Sequence, residues 1–139
     1  MGAKEIKELL QKYLWIKKNI DYLEDELLVI ESRITKVTPT LSDLPKASGR
    51  CDNLADCIND IIEIKNQINS KLPELYSLRV EIEDLIDKLP ERERYLVMAR
   101  YIHAKKWEEI AVDMCYNWKY IHELHSKALN LMSEYKTSD

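Results

Sequence analysis

The chain has 139 residues, 45% hydrophobic and 33% charged, and its 21 basic and 25 acidic side chains leave a formal charge of −4. That length suits one domain or two small ones. Two glycines and four prolines are too few for a fold of many tight turns, which sets aside β-sandwiches and glycine-lined nucleotide cradles. No apolar run approaches the ~18 residues that cross a bilayer. The stretch from Met1 to Glu5 turns amphipathic without a signal-peptide core, so the expectation is a cytoplasmic protein with no membrane partner. Gly2 does not open a myristoylation motif, because Ile6 stands where Ser or Thr is needed. Cys51, Cys57 and Cys115 are odd in number and lack CxxC spacing, so reduced thiols are expected. A Cys51–Cys57 bridge is out of reach if both sit on one helix, nearly two turns apart.

Residues 4–37 carry Ile6, Leu9, Tyr13, Ile16, Ile20, Leu23, Leu27, Ile30, Ile34 and Val37 at spacings that alternate three and four. That heptad seam predicts one helix about 50 Å long. Residues 38–50 concentrate prolines, small polar residues and Gly49, and they predict the turn. The seam then resumes as Leu54, Ile58, Ile61, Lys65, Ile68, Leu72, Leu75, Arg79, Ile82, Ile86 and Leu89, with only Lys65 and Arg79 polar. About a dozen connecting residues suffice for an antiparallel hairpin but not for a parallel return. Pro73 interrupts this second helix. Because the seam keeps its phase across it, a bend is expected rather than a reversal.

Pro90 and the acidic Glu91 and Glu93 mark a fresh helix start. Residues 1–88 hold 13 basic and 17 acidic side chains, whereas residues 89–139 hold eight of each. The net charge therefore belongs to the hairpin, and the domain boundary is placed near Leu89. Leu96, Val97, Arg100, Tyr101 and Ile102 fit a helix that ends at the polar connection His103, Ala104, Lys105 and Lys106. A short helix from Trp107 to Met114 comes next, then the turn Cys115, Tyr116 and Asn117, where Asn117 has the side chain of an N-cap. The last helix runs from Trp118 to about residue 135 and buries Ile121, Leu124, Ala128, Leu129 and Met132. Two helices joined by a three-residue turn describe a helix-turn-helix. The fold class is thus all-α: a long antiparallel helical hairpin over residues 1–88, then a three-helix head over residues 89–139.

The head carries Leu89-Pro90-Glu91-Arg92-Glu93-Arg94, Ala99-Arg100-Tyr101-Ile102, Trp107-Glu108-Glu109-Ile110-Ala111 and Lys127-Ala128-Leu129. In these motifs it resembles the promoter-reading fourth region of bacterial sigma factors. With Val37-Thr38-Pro39 and Leu41-Ser42-Asp43-Leu44-Pro45-Lys46 included, nearly the whole chain resembles small phage and prophage proteins related to the RinA and ArpU late-operon activators. The resemblance implies a DNA-binding transcription regulator of a bacterial host cell. The chain departs from the sigma pattern in two places. Cys115 occupies the turn position where glycine would tolerate a left-handed backbone, at a cost of roughly 1 kcal/mol if that conformation is needed. Trp118 and Tyr120 stand where sigma factors place arginines, so base readout is expected to be less ionic.

A recognition helix sets its leading residues against base edges. That predicts Trp118, Lys119, His122, Glu123 and Ser126 in a major groove. Lys119 would donate to guanine or phosphate, His122 would donate or accept, Glu123 would accept from cytosine, and Trp118 would press on a thymine methyl. Arg100, Lys105, Lys106 and Lys127 are the candidate phosphate contacts, with the amino end of the Trp107 helix offering free amides. About four phosphates per copy is a modest electrostatic grip. Double-stranded DNA would therefore be gripped by a homodimer on two half-sites, or by one copy beside RNA polymerase.

Plainer readings stand beside these. Trp107 reads chiefly as a core aromatic, Trp118 equally well as core or contact. His122-Glu123-Leu124-His125 has its histidines three apart rather than the four of a zinc-protease helix, so neither metal nor cofactor is expected. No nucleophile or phosphate loop is present, and an enzyme is not expected. Leu10, Leu14, Trp15, Leu28, Ile62, Ile64, Leu78 and Leu85 lie off the seams and need cover. Either a second hairpin in a four-helix bundle or the docked head would supply it. The rival function is a protein-interaction module that touches RNA polymerase or a packaging component and never grips DNA.

Overall fold

The computed structural model describes residues 2–37 and 53–138. Five α-helices succeed one another: α1 (Ala3–Val37), α2 (Leu54–Asp87), α3 (Glu91–Val97), α4 (Trp107–Met114) and α5 (Trp118–Ser138). A wide π-turn, Met98–Ile102, extends α3. The described residues contain no strand, so the all-α class with its long leading helix pair holds. The predicted turn at residues 38–50 and Cys51 lie outside the described residues.

The chain forms two compact units, Lys17–Glu74 and the combination of Met1–Ile16 with Leu75–Asp139. In the first, Glu24, Leu27 and Leu28 of α1 share a groove with Lys65, Ile68 and Asn69 of α2. In the second, Tyr13 of α1 lies beside Arg79 of α2. In the first unit residues late in α1 meet residues early in α2, and in the second an early α1 residue meets a late α2 one, so the pairing is antiparallel, as the short connection requires.

In the first unit the inner line of α2 is not the predicted one. Leu54, Ile58 and Lys65 are exposed, while Cys57, Ile64 and Ile68 are buried, with Ile61 half-buried between them. Both lines have three-and-four spacing, and they lie side by side on the helix. The observed one keeps the Lys65 ammonium in water, where an unpaired charge costs least. Asn53 starts α2 as a cap, its Oδ1 accepting from Asp56 N at 2.9 Å. Cys57 is disulfide-bonded, a correction to the reduced state expected, whereas Cys115 is free and exposed. Pro73 sits inside α2 and the helix runs on through it to Asp87, which excludes the reversal.

The second unit contains residues from both sides of the boundary expected near Leu89. Ile6, Leu10, Tyr13 and Leu14 from the start of α1, and Ile82, Leu85 and Ile86 from the end of α2, are buried in the same compact unit as Leu96, Ile110, Ile121 and Met132. Charge balance, which suggested the boundary, is a property of the surface and does not report on a shared core. Lys136 of α5 donates to the Glu81 carboxylate of α2, and Arg94 bridges the α2–α3 joint to Asp87 at 3.0 Å. Leu10, Leu14 and Leu85, three off-seam residues that needed cover, therefore find it within this unit. Trp15, Leu28 and Ile62 stay exposed and Leu78 is half-buried.

Truncating Leu10, fully buried and far in sequence from the head helices, tests this shared core. Leu10→Ala is expected to destabilise the protein by about 2–4 kcal/mol in urea unfolding. Amide protection at Leu96, Ile110 and Ile121 should fall by the same free energy. Unchanged protection there would favour the boundary at Leu89.

Candidate nucleic-acid interface

The head is built on a small core of Leu96, Ala99, Ile110, Ile121 and Leu124, with Trp107, Ala111, Met114 and Tyr116 packed around it. Three corners fix how its helices meet. Pro90 opens α3, its carbonyl accepting from Arg94 N at 2.8 Å, in the helix-start role where proline's missing N–H costs nothing. The π-turn closes with His103 N donating to Met98 O at 3.0 Å, and Lys105 N reaches back to Ala99 O at 2.9 Å over a left-handed Ala104, φ 55°. At the third corner Cys115 adopts φ 60° and ψ 37°. Tyr116 N donates to Ala111 O at 3.1 Å, a six-to-one closure that ends α4 and satisfies an orphan carbonyl.

Asn117 then caps α5 as its sequence suggests, Oδ1 accepting from Tyr120 N at 2.8 Å. The connection has the three residues expected. The leading end of α5 faces outward: Trp118 is 58% exposed, and Lys119, Glu123 and Ser126 are exposed with it. Ile121 and Leu124 face inward.

Not every expected contact is available. His122 is half-buried, its ring 4.8 Å from Trp107 and 4.0 Å from Trp118, with Nε2 enclosed and without a hydrogen-bond partner among the described residues. Arg100, expected at a phosphate, is half-buried instead. Its guanidinium donates to Lys105 O at 3.0 Å and lies 4.7 Å from the Trp107 ring centroid, which holds the loop between α3 and α4. Trp107 belongs to this packing. Lys105 donates to Asp113 at 2.9 Å, and that bond holds its ammonium above the ordinary lysine range. Lys127 stands 3.5 Å from Glu93, a carboxylate only 2% exposed. Lys106 and Lys119 are exposed and carry no ion pair among the described residues.

One cation was not singled out in the sequence. Arg92 of α3 lies 6.0 Å from the Tyr116 ring centroid and 5.8 Å from that of Tyr120, and the two rings meet edge to face at 4.7 Å. Stacking on two tyrosines holds this exposed guanidinium beside the turn. The signal was the pair Tyr116 and Tyr120, four apart at the start of the last helix, and it becomes legible only once α3 is known to cross that point.

Beneath the interface His125 is buried against Trp107, rings 4.8 Å apart, and its Nε2 lies 2.9 Å from the Tyr101 hydroxyl. Burial lowers the imidazole to about 4, helped by the positive charge of Lys7 and by His122 and Arg100. Burial also raises the Tyr101 phenol to about 12 against the pull of Arg100. The phenol therefore stays protonated and donates to a neutral ring. Among the described residues no three His, Cys, Asp or Glu side chains come together as a metal site, and no helix is long and apolar enough to cross a membrane. No family model, no curated protein and no solved structure matches the chain.

This geometry makes two outcomes testable. A histidine whose folded pKa lies below its unfolded value binds fewer protons when folded, so stability falls as pH drops from 6.5 toward 4. The expected loss is about 3 kcal/mol, read as a falling urea midpoint that His125→Phe flattens. Cys115→Gly relieves the left-handed strain and should raise stability by about 0.5–1 kcal/mol. Cys115→Val should lower it by about 1–2 kcal/mol, and equal stability for the two would contradict the turn.

Proposed function

We propose that this protein is a DNA-binding transcription regulator whose helix α5 enters a major groove by its leading end, in the manner of the sigma-like phage and prophage regulators that its sequence resembles. Late-operon activation is the role within that class. The observation that carries this reading is the exposed first turn of α5, held outward by the left-handed Cys115 and the Asn117 cap. Trp118, Lys119 and Glu123 supply an apolar surface, a donor and an acceptor there, a mixture suited to base edges. Ser126 extends the row by one turn. Lys106 and Lys119 are ready to neutralise phosphates, and Arg92 flanks them. The exposed Lys105–Asp113 pair is worth under about 1 kcal/mol, so Lys105 can exchange Asp113 for a phosphate oxygen, whereas Lys127 is held by the buried Glu93 carboxylate, which its withdrawal would leave short of a partner. Arg100 cannot exchange either, because withdrawing it strands the Lys105 carbonyl.

A grip of so few cations is weak for one copy, and a second copy or RNA polymerase beside the promoter would supply the rest. The engagement of Arg100, Lys105 and Lys127 within the protein favours a second reading. In it the same face contacts polymerase or a packaging component and no duplex.

A mobility-shift titration on late-promoter DNA across several salt concentrations separates the two. DNA binding predicts a log–log salt slope of about −3 to −4 per copy, set by Lys106, Lys119, Arg92 and Lys105. Lys119→Glu should weaken binding at least about tenfold. Absence of any shift at low salt overturns the DNA reading in favour of the protein-contact one.

A further inference from the structure

The paired-helix unit has an open groove of about 450 Å³, walled on α1 by Glu24, Leu27 and Leu28 and on α2 by Lys65, Ile68 and Asn69. Leu28 is 64% exposed on one wall. On α2 the same flank continues through Ile62, 53% exposed, and Ile58, 45% exposed, at three- and four-residue spacing from Lys65. Large apolar side chains aligned along one flank of a helix pair are what a further helix layer covers. Two opposite charges face each other across the groove, Glu24 and Lys65, and neither has an ion pair or hydrogen bond among the described residues.

We propose that this groove seats the same groove of a second copy of the chain, forming a four-helix bundle. Charge selects the arrangement. A two-fold axis running along the helices sets α1 of one copy against α2 of the other at the same level, so each Glu24 meets the second copy's Lys65 and two reciprocal ion pairs form. A two-fold axis across the helices would instead set Glu24 against Glu24 and Lys65 against Lys65, which repel. Leu28 of each copy then packs toward the Ile58 and Ile62 flank of the other. The face has enough room: about twenty residues of α1 rise about 30 Å, and two helices span about 20 Å. That gives about 600 Å² per copy, or about 1,200 Å² in all, the lower end for a stable specific interface. The contact involves no residue of the nucleic-acid face, so it stands whether or not the protein binds DNA.

Sedimentation equilibrium of the full chain tests the arrangement with three exposed-site variants, whose helicity is checked by circular dichroism. The wild type should dimerise. Lys65→Glu and Glu24→Lys should each raise the dimer dissociation constant about tenfold or more, because each turns two attractions into two repulsions. The double variant carrying both substitutions restores opposite charges across the interface and should recover most of the wild-type affinity. A wild-type monomer at every concentration would leave the groove to some other partner and overturn the proposal. So would a dimer indifferent to the single reversals, or one that the double swap fails to rescue.

Discussion

The direction of helix α5 is set by three residues. A connection as short as Cys115, Tyr116 and Asn117 can end one helix and begin another only if one of them leaves the right-handed region, and Cys115 does, at φ 60°. Were Cys115 to stay right-handed, α4 would run on and each residue beyond it would be turned by about 100° from its predecessor along that same axis. That would set Ile121 and Leu124 about 16 and 21 Å further along the axis than Ile110, out of reach of the core they share with it. The burial of these three apolar side chains is worth several kcal/mol, at about 1.5–3 kcal/mol each. The strain of one non-glycine residue in the left-handed region is about 1–2 kcal/mol. Packing therefore overrules the local preference, and the outward face of α5 is its result.

The same comparison of magnitudes sorts the cations of the head. Arg100 is tied by a hydrogen bond to a carbonyl and by a stack on Trp107, and releasing it would unseal the loop that leads into α4. Lys105 sits in a partly exposed pair, which water and salt weaken, while Lys127 is paired with the buried Glu93. A polyanion offering several phosphates at once competes well against the exposed pair, whereas it competes poorly against a buried bond. The head thus has a fixed internal cation and a mobile set at its surface, a division that the equal count of acidic and basic residues hides.

Much of this was legible in the sequence. The limits of α4, the start of α5 and the Asn117 cap come from local chemistry, because caps and breakers act within a few residues. The strain at Cys115 was readable for the same reason. Three features were not. The two lines down α2, one through Leu54, Ile58 and Lys65 and the other through Cys57 and Ile64, have equivalent spacing, and only the penalty on Lys65 separates them. The π-turn at Met98–Ile102 adds one residue to a helical turn, which no pattern of apolar spacing announces when Ala99, Tyr101 and Ile102 are all buried. The contacts that fix Arg100 and enclose His122 meet at Trp107 of α4, whose placement in space sequence separation does not encode.

The second compact unit reaches across residue 89 for a reason of scale. A head of about fifty residues buries too small a share of its surface to be secure on its own. Here the ends of α1 and α2 supply the missing apolar surface: Ile6, Leu10 and Leu14 on one helix, Ile82, Leu85 and Ile86 on the other. A polar tie takes the same route, from Lys136 to Glu81. The head thus lies in one compact unit with the start of α1 and the end of α2. The attitude of α5 is fixed by the bases of the two long helices, so anything that shifts those bases acts on the face that α5 presents.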